Sequence, residues 1–389
     1  MKLDTLTIRH LRNLDEAVIH CGQGIHFIHG LNAQGKTSIL EAIYLLSNLR
    51  SFRDSDLSAL VQEGQASASV KGLFMLDAST EAELKVELVQ GPKRFEKRAY
   101  INQKLSKSAL DYFGVKLFHS PIQFHAINLN PTSTDLIRGE PALRRSYLNQ
   151  IIASESPPYM DILKRFQKTL DQKNALLKQE ERLDLQLLNI LNENIIQTGA
   201  FLIHARLSYL QKIAKPVLEF LARIAPLQAP VNLAYRTSET LYFTGQFEIP
   251  TVKILEENLQ QKLTQLGAQE RARRTSLVGP HRDDLMFKVG LKSSSLAPDL
   301  VNVGSQGEIR SVLLSLKLAE LEEFKRHTGV QPVLLIDDFS SELDSTRREF
   351  LLNYLKNSEL QIFVTSTDDL SGSLQATGKT IRMSRGKVI

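Results

Sequence analysis

The sequence predicts an α/β protein in which one α/β domain is split between the two ends of the chain and a helical segment is inserted between the halves. Three observations predict this arrangement. Apolar and polar residues alternate through residues 3–30, as they do in strands. Residues 142–225 contain little glycine and repeat apolar residues at the helical period. Strand-like runs and turns resume at residue 276.

The N-terminal half combines strands with one helix. The helix is indicated by apolar residues at helical spacing, which are Ile39, Ala42, Ile43, Leu46 and Leu49. Two extended runs, 82–89 and 95–101, flank a Gln-Gly-Pro-Lys turn and predict a hairpin.

The middle of the chain is predicted to be helical. A break at residues 180–182 indicates two long helices packed as an antiparallel hairpin, which forms a short arm, and a third helix follows at 250–274. After it we expect a helix at 306–325, an apolar strand at 333–336, a helix at 346–355 and a last strand at 361–364. We therefore divide the chain into 1–140, the N-terminal half of the α/β domain; 141–274, the helical insertion; and 275–389, the C-terminal half.

Composition sets limits on the function. The 389 residues are 42% hydrophobic and 23% charged, which is typical of a globular protein and excludes a disordered tail or a collagen-like fibre. The 48 basic and 43 acidic residues give a net charge of +5, which permits a polyanionic partner without requiring one. The single cysteine, Cys21, excludes an internal disulfide. Because there is no secretory signal and no apolar run of about 18 residues, we expect a cytoplasmic protein without a membrane segment.

The strongest motif is the segment GLNAQGKT, which fits G-x-x-x-x-G-K-[ST] and lies between a predicted strand and a predicted helix. Its residues are Gly30, Leu31, Asn32, Ala33, Gln34, Gly35, Lys36 and Thr37. Backbone N–H groups of such a loop surround the β-phosphate of a nucleotide, and the helix N-terminus adds a favourable dipole. We expect Lys36 to neutralise the β- and γ-phosphates and Thr37 to ligate Mg²⁺. The alternative is an ordinary strand–helix turn.

Two aspartates follow the apolar strand 333–336, at the edge where doubly wound sheets bind their ligands. We expect Asp337 to hold the Mg²⁺ shell and Asp338 to orient or deprotonate the attacking water. The alternative is that the pair only caps the next helix.

A third motif, Ser305-Gln306-Gly307-Glu308, opens a predicted helix. Ser305 and Glu308 fit a capping box, which is the purely structural interpretation. A capping box does not explain Gly307, which destabilises a helix by about 1 kcal/mol. A serine hydroxyl beside glycine at a helix N-terminus also suits a phosphate that arrives from another molecule.

Taken together, these motifs resemble the RecF family of bacterial recombination proteins, which are ABC-type ATPases related to the SMC chromosome proteins. The resemblance follows the whole chain in order and also includes the tripeptide SFR at 51–53, VGPHRDD at 278–284 and LLIDDFSSELD at 334–344. It implies a fold in which an ABC-type P-loop ATPase head is split by an α-helical arm insertion.

The resemblance also implies roles for particular residues. In such ATPases two subunits close head to tail, and each signature serine contacts the γ-phosphate held by the other subunit. When the family's roles are assigned to the matching positions of this sequence, the implied catalytic residues are Lys36, Asp338 and Ser305. The implied metal ligands are Thr37 and Asp337. Further nucleotide contacts implied outside the phosphate loop are Arg12, Asn13, Ser305, Gly307, Glu308 and Asp344.

Departures from the family pattern concern three segments. Glu308 stands where glutamine is common, and the Q-loop region 130–133 lacks the usual acidic pair. Thr367 occupies the switch position where many ABC proteins have histidine, so we expect slow hydrolysis.

The function that the resemblance implies is an ATP-switched DNA-binding protein of recombinational gap repair and replication maintenance. ATP would join two subunits as a homodimer on DNA where duplex meets single strand, and weak, DNA-stimulated hydrolysis would release them. The implied partners are RecR and RecO, with recombinase loading and a role in the SOS response.

Basic residues crowd the predicted hairpin and indicate a DNA-binding surface, although a solvated charged hairpin is the simpler alternative. The candidates are Arg53, Lys93, Arg94, Lys97 and Arg98.

Two other functions compete with this reading. A structural DNA tether of the SMC type is disfavoured because arm helices of 35 to 40 residues reach only about 50–60 Å, and because the chain has no Cys-x-x-Cys hook. A transporter ATPase subunit is disfavoured by the arm, by the missing switch histidine and by the VGPHRDD element.

Overall fold

Contacts within the chain divide it into two compact units. One comprises Met1–Thr132 and Leu321–Ile389, and the other comprises Ser133–Glu320. The structure is a computed structural model. It describes residues 2–53, 56–75, 81–92, 94–108, 111–112, 124–129, 134–179, 183–224, 229–238, 240–245, 247–290, 296–339, 344–367 and 378–389. The sequence-based division of the chain after residues 140 and 274 is made according to its motifs and not according to contacts. That division stays a prediction.

The described elements are mostly strands in the N-terminal segment, mostly helices in the middle segment, and a mixture of both in the last segment. The N-terminal segment holds β1 (Lys2–Leu11), β2 (Leu14–His20), β3 (Ile25–His29), α1 (Lys36–Asn48), β4 (Ser67–Met75), β5 (Glu81–Gln90), β6 (Phe95–Ile101), β7 (Lys104–Leu105) and β8 (Ala126–Leu129). The middle segment holds α2 (Asp135–Arg138), α3 (Pro141–Glu155), α4 (Pro157–Leu177), α5 (Leu185–Ile224), β9 (Val231–Arg236), β10 (Leu241–Phe243), α6 (Val252–Arg273), β11 (Asp284–Val289) and α7 (Leu300–Val303). The last elements are α8 (Gln306–Thr328), β12 (Val333–Ile336), α9 (Ser345–Lys356), β13 (Ile362–Ser366), β14 (Thr380–Ser384) and β15 (Lys387–Val388).

The first unit contains two six-stranded sheets. One is antiparallel, in the order β2-β1-β4-β5-β6-β7. The other has the order β15-β14-β3-β13-β12-β8, and all its strands except β15 are parallel to their neighbours. Because β12 and β13 are central in this sheet, all their residues are buried, which explains their continuous apolar sequence.

Helix α1 fills the space between the two sheets. Its residues from Ser38 to Asn48 are all buried. One hydrophobic core joins Leu46 of α1 to Val70 of the antiparallel sheet and Phe363 of the parallel sheet. The N-terminus of α1, which carries the phosphate-loop lysine, is therefore held in place by packing on both sides.

The second unit contains the helical arm and a small sheet. Helix α4 packs along α5, and α5 packs along α6. Leu176 and Leu177 meet Leu188 and Leu191 where α4 ends and α5 begins, as expected for a helix hairpin. A three-stranded antiparallel sheet, β10-β9-β11, completes the unit.

Two features of this unit differ from the expected elements. The first arm helix is not continuous, because Ser156 is extended (φ −141°) and α4 begins with proline. Proline has no N–H and suits the first turn of a helix, so Pro157 starts a new helix rather than continuing α3. Strands β9 and β10 lie within the segment expected to be helical.

In the described part of the chain, no helix is both long and apolar enough to span a bilayer.

Candidate nucleotide site

The phosphate loop connects the buried strand β3 to α1. Gly35 has φ +98°, a left-handed conformation that glycine adopts without strain, and a Cβ there would lie 2.7 Å from Leu14 Cδ2. A Cβ at Gly30 would lie 2.5 Å from the carbonyl oxygen of Met383. Both glycines of the motif are therefore required by close packing around the loop.

Lys36 folds back over the start of this loop. Its Nζ donates to the carbonyl oxygens of Gly30 at 2.6 Å and Leu31 at 2.9 Å. Burial lowers the pKa of Lys36, while the charges of Asp338 and Asp337 act to raise it. The ammonium thus lies in the field of both predicted aspartates.

The metal-binding pair predicted from sequence is brought together across 300 residues of chain. Thr37 Oγ1 donates to Asp337 Oδ1 at 3.0 Å, and Thr365 Oγ1 donates to the same oxygen at 2.6 Å. Hydroxyl and carboxylate oxygens are the hard ligands that Mg²⁺ prefers, so these residues fit the predicted metal.

Asp338 is positioned by the same threonine. Its N–H donates to Thr365 Oγ1 at 2.8 Å, and its backbone is left-handed, with φ +47°. Thr365, which the sequence analysis missed, therefore holds the carboxylate of Asp337 and the backbone of Asp338. The only available signal was a polar residue near the end of the last apolar strand.

The helix-capping alternative for the aspartate pair can be compared with the cap of α9. That helix is capped by Asp344, whose Oδ1 accepts a hydrogen bond from Arg347 N at 3.0 Å, and Asp344 also forms an ion pair with Arg347. The cap is therefore supplied by Asp344, whereas Asp337 faces the phosphate loop.

Asn13 and Arg12 have different surroundings. Asn13 Nδ2 donates to the carbonyl oxygen of Ala33 at 3.1 Å, and Asn13 Oδ1 accepts from Ser38 Oγ at 3.0 Å. Arg12 instead forms a two-pronged ion pair with the buried carboxylate of Glu41, at 2.9 and 2.8 Å. Asn13 therefore supports the phosphate loop directly, whereas the charge of Arg12 is neutralised by a glutamate that the sequence analysis did not identify.

Ser305 lies at the start of α8, in the second unit. Its Oγ and its N–H both donate to Glu308 Oε2 at 2.8 Å, and Glu308 N donates to Ser305 Oγ at 3.2 Å. The capping box is thus formed, and Ser305 is also exposed. Gly307 lies in the first turn of the same helix.

The whole chain matches known proteins. The family model described as "RecF/RecN/SMC N terminal domain" matches residues 2–388. The "DNA replication and repair protein RecF" of Geobacter sulfurreducens is 33% identical over 390 residues, which cover 100% of this chain and 99% of the relative. This chain belongs to the RecF family. The protein of the same name from Symbiobacterium thermophilum is 33% identical over 369 residues, 95% of this chain and 92% of the relative.

Solved structures confirm the predicted fold class. The recombination mediator protein RecF with ATP in the RecFOR pathway is 31% identical, with a TM-score of 0.85 over 100% of this chain and 96% of that one. The Smc head domain from Pyrococcus furiosus is 16% identical, with a TM-score of 0.53 over 100% of this chain and 95% of that one, and it supports the fold alone. The fold is that of a RecF and SMC-like ATPase head.

In this member of the RecF family, the predicted DNA-binding residues differ in their contacts. Lys97 donates to the carbonyl oxygen of Leu49, the residue that ends α1. Burial, and to a lesser degree the charge of Arg50, lowers the pKa of Lys97. Lys97 therefore caps a helix. Arg53, Arg94, Lys97 and Arg98 are all exposed, and Arg98 lies 3.9 Å from Glu96.

Three predicted elements lie outside the described residues. They are Lys93, the Q-loop region 130–133 and residues 341–343 of the D-loop. Thr367, at the switch position, is exposed directly after β13.

Proposed function

We propose that this chain is an ATP-dependent DNA-binding protein of recombinational gap repair and replication maintenance, and that it hydrolyses ATP weakly and faster on DNA. The observation that carries the proposal is the hydrogen bond between Thr37 and Asp337, because it joins the phosphate loop to the acidic strand. The names of its relatives, which refer to DNA replication, repair and recombination with ATP, support the same conclusion.

ATP binding follows from the residues of the loop. Backbone N–H groups between Gly30 and Thr37 face the β-phosphate, and the Lys36 ammonium neutralises the terminal phosphates. Thr37 and Asp337 would hold Mg²⁺, which screens the phosphate charge when it is bound.

Hydrolysis requires a group that orients the attacking water. Asp338 follows the metal-binding aspartate, and Thr365 holds its backbone N–H. We assign its carboxylate to orient or deprotonate that water. Thr367 has no charge to offer the γ-phosphate at the switch position, which is why hydrolysis is expected to be slow.

Dimerisation uses the signature motif. The exposed hydroxyl of Ser305, with Gly307 and Glu308 beside it, would contact the γ-phosphate bound by a second copy of the chain, and Asp344 would lie near the same interface. ATP then acts as a switch that closes a homodimer on DNA.

DNA contact is proposed for Arg53, Arg94 and Arg98, and for Lys93, which lies outside the described residues. Proposed partners are single-stranded and duplex DNA at gap junctions, together with RecR and RecO. Recombinase loading, SOS induction and a cytoplasmic, nucleoid-associated location belong to the same proposal. An SMC-like tether is not favoured, because the match to RecF is closer in sequence and in structure.

The test is sedimentation velocity with ATP, with ADP, and with ATP plus a gapped duplex. We expect dimers with ATP, more of them with gapped DNA, and monomers with ADP. The S305D variant keeps a residue that caps helices but places a negative charge where the γ-phosphate would arrive. It should bind ATP as a monomer, with a small decrease in the thermal midpoint because the new carboxylate lies beside Glu308. A wild-type chain that stays monomeric with ATP and DNA would refute the proposal.

A further inference from the structure

The C-terminal hairpin, formed by β14 and β15, has its turn at the same edge of the parallel sheet as the phosphate loop. Strand β14 is parallel to β3, and Arg382 is in register with His29, the residue before the loop. Because both strands run in the same direction, the residues after Arg382 lie beside the loop.

The backbone at the tip of the hairpin packs on Gln34 of the phosphate loop and on Asn13, which lies between β1 and β2. Arg385 N–H donates to the side-chain oxygen of Gln34, and a Cβ at Gly386 would collide with the carbonyl oxygen of Asn13. Arg385 and Gly386 have φ +49° and +75°, the two left-handed residues of a tight hairpin turn. The position of Arg385 is therefore set by the loop itself.

The side chain of Arg385 is exposed, and among the described residues its guanidinium has no hydrogen bond or ion pair. Arginine at the edge of a phosphate site offers a fork of donors that suits phosphate oxygens.

The order of the strands indicates which part of a nucleotide lies nearby. The residues that face the terminal phosphate, Asp337 and Asp338, follow β12, which lies two strands from β3 on one side. Strand β14 adjoins β3 on the opposite side. A nucleotide whose β-phosphate sits in the loop and whose γ-phosphate points toward the aspartates therefore has its α-phosphate and nucleoside on the side of β14.

We propose that Arg385 is a further nucleotide-binding residue, which pairs with the α-phosphate of the bound nucleotide. The inference rests on the proposed ATP-binding function and adds a contact on the nucleoside side. Since ATP and ADP share the α-phosphate, Arg385 contributes equally to the affinity for both. It contributes nothing to the hydrolytic step, which takes place at the other end of the nucleotide.

The test compares R385A with R382A, which removes the same charge from the same hairpin on the exposed face of β14. Calorimetric titration of the full chain with Mg-ATP and with Mg-ADP gives the affinities. We expect R385A to weaken both by about tenfold, which is the loss of one charge-assisted hydrogen bond. R385K should recover part of the loss, and R382A should remain within about twofold of wild type.

Steady-state kinetics provide a second readout. R385A should raise KM for ATP and leave kcat unchanged. Unchanged ADP affinity in R385A, or an equal loss in R382A, would overturn this inference. K36A separates the two proposals: if K36A abolishes ATP binding while R385A does not alter it, the nucleotide site stands and only the role of Arg385 fails.

Discussion

Thr365 shows how one hydroxyl can organise a site. It donates to the carboxylate of Asp337 and accepts from the backbone N–H of Asp338, so one hydroxyl holds the side chain of one aspartate and the backbone of the next. The sequence motif identified both aspartates, but it could not reveal the threonine. Thr365 lies on a neighbouring strand, and only the sheet register brings it to them.

Replacing Thr365 with valine removes this hydroxyl and preserves the shape of the side chain. We expect T365V to bind ATP with nearly wild-type affinity, because the phosphate loop is unaffected, and to hydrolyse it roughly tenfold more slowly, a typical loss for a misplaced catalytic group. Single-turnover hydrolysis measures the effect. T365S keeps the hydroxyl and is the control: if it is as slow as T365V, the hydroxyl is not the cause.

Asp338 is the second residue with a specific prediction. Its left-handed backbone tolerates asparagine well, so D338N should fold like the wild type while losing the carboxylate that we propose activates water. We expect D338N to accumulate as an ATP-bound dimer that turns over at least about a hundredfold more slowly, within the usual contribution of a general base. Gel filtration with radiolabelled ATP detects this species. Wild-type turnover in D338N would assign the base to another residue.

At the scale of elements, the second unit is joined by a buried polar network around Arg206, on α5. Its guanidinium donates to Tyr235 on β9 at 2.8 Å, to the carbonyl oxygen of Pro280 at 2.8 Å and to Asn149 on α3 at 2.8 Å. Tyr235 in turn donates to Asp283 Oδ2 at 2.8 Å. The VGPHRDD motif, noted in the sequence only as a family resemblance, thus anchors arm helices to the small sheet.

This network predicts that the stability of the folded protein depends on pH. Burial raises the pKa of Asp283 to about 7, against the opposing effects of Arg206, Tyr235 and Arg145, while Asp284 adds to the rise. Between about pH 4 and 7 the folded protein therefore holds a proton that the unfolded chain has released, so the contribution of Asp283 to stability falls as the pH rises. His281, whose burial lowers its pKa to about 4, acts in the opposite direction.

Comparing D283N with the wild type cancels the contribution of His281. We expect the thermal midpoint of D283N, relative to wild type, to increase from pH 5 to pH 7.5, because asparagine never carries the buried charge. Differential scanning fluorimetry at the two pH values is sufficient. A difference that is constant with pH would mean that Asp283 does not titrate in this range.

Elements whose pattern is local were predicted well. Apolar runs predict β12 and β13, because buried central strands need apolar residues. Glycine spacing predicts the phosphate loop, because local sterics determine its turn. The break at Ser156 was missed although Pro157 marks it, because the apolar period on either side resembles one helix. Lys97, which the sequence predicts as a DNA contact, also donates to the carbonyl oxygen of Leu49, a contact that local sequence could not reveal because the end of α1 is far away in the chain.

At the scale of the whole molecule, we expect the proposed association with DNA to depend on the exposed basic residues rather than on net charge. On the outer face of the antiparallel sheet, Lys71 pairs with Glu83 at 2.8 Å and Lys85 with Glu87 at 2.6 Å. These pairs leave much of the local positive charge neutralised. The remaining candidates described by the structure are Arg53, Arg94 and Arg98.

Salt dependence tests this assignment. If about six phosphates are contacted, the logarithm of DNA affinity should fall with the logarithm of salt concentration at a slope near −5. R98A should make the slope shallower by about 0.9, whereas K97A, on the same strand, should leave it unchanged. Fluorescence anisotropy with ATP present measures both. Equal effects of R98A and K97A on this slope would mean that Arg98 contributes no more to phosphate binding than Lys97 does.

The parallel sheet takes neighbouring strands from opposite ends of the polypeptide, with β3 between β13 and β14. The N-terminal part of a chain leaves the ribosome first. Helix α1 therefore emerges long before β12 and β13, the strands of the parallel sheet that cover it. During synthesis the apolar surface of α1 lacks that cover, and a nascent chain at this stage is prone to aggregate. We therefore expect the proposed ATP binding through Thr37 and Asp337 to become possible only after β12 has been synthesised, so that nucleotide binding is a late folding event.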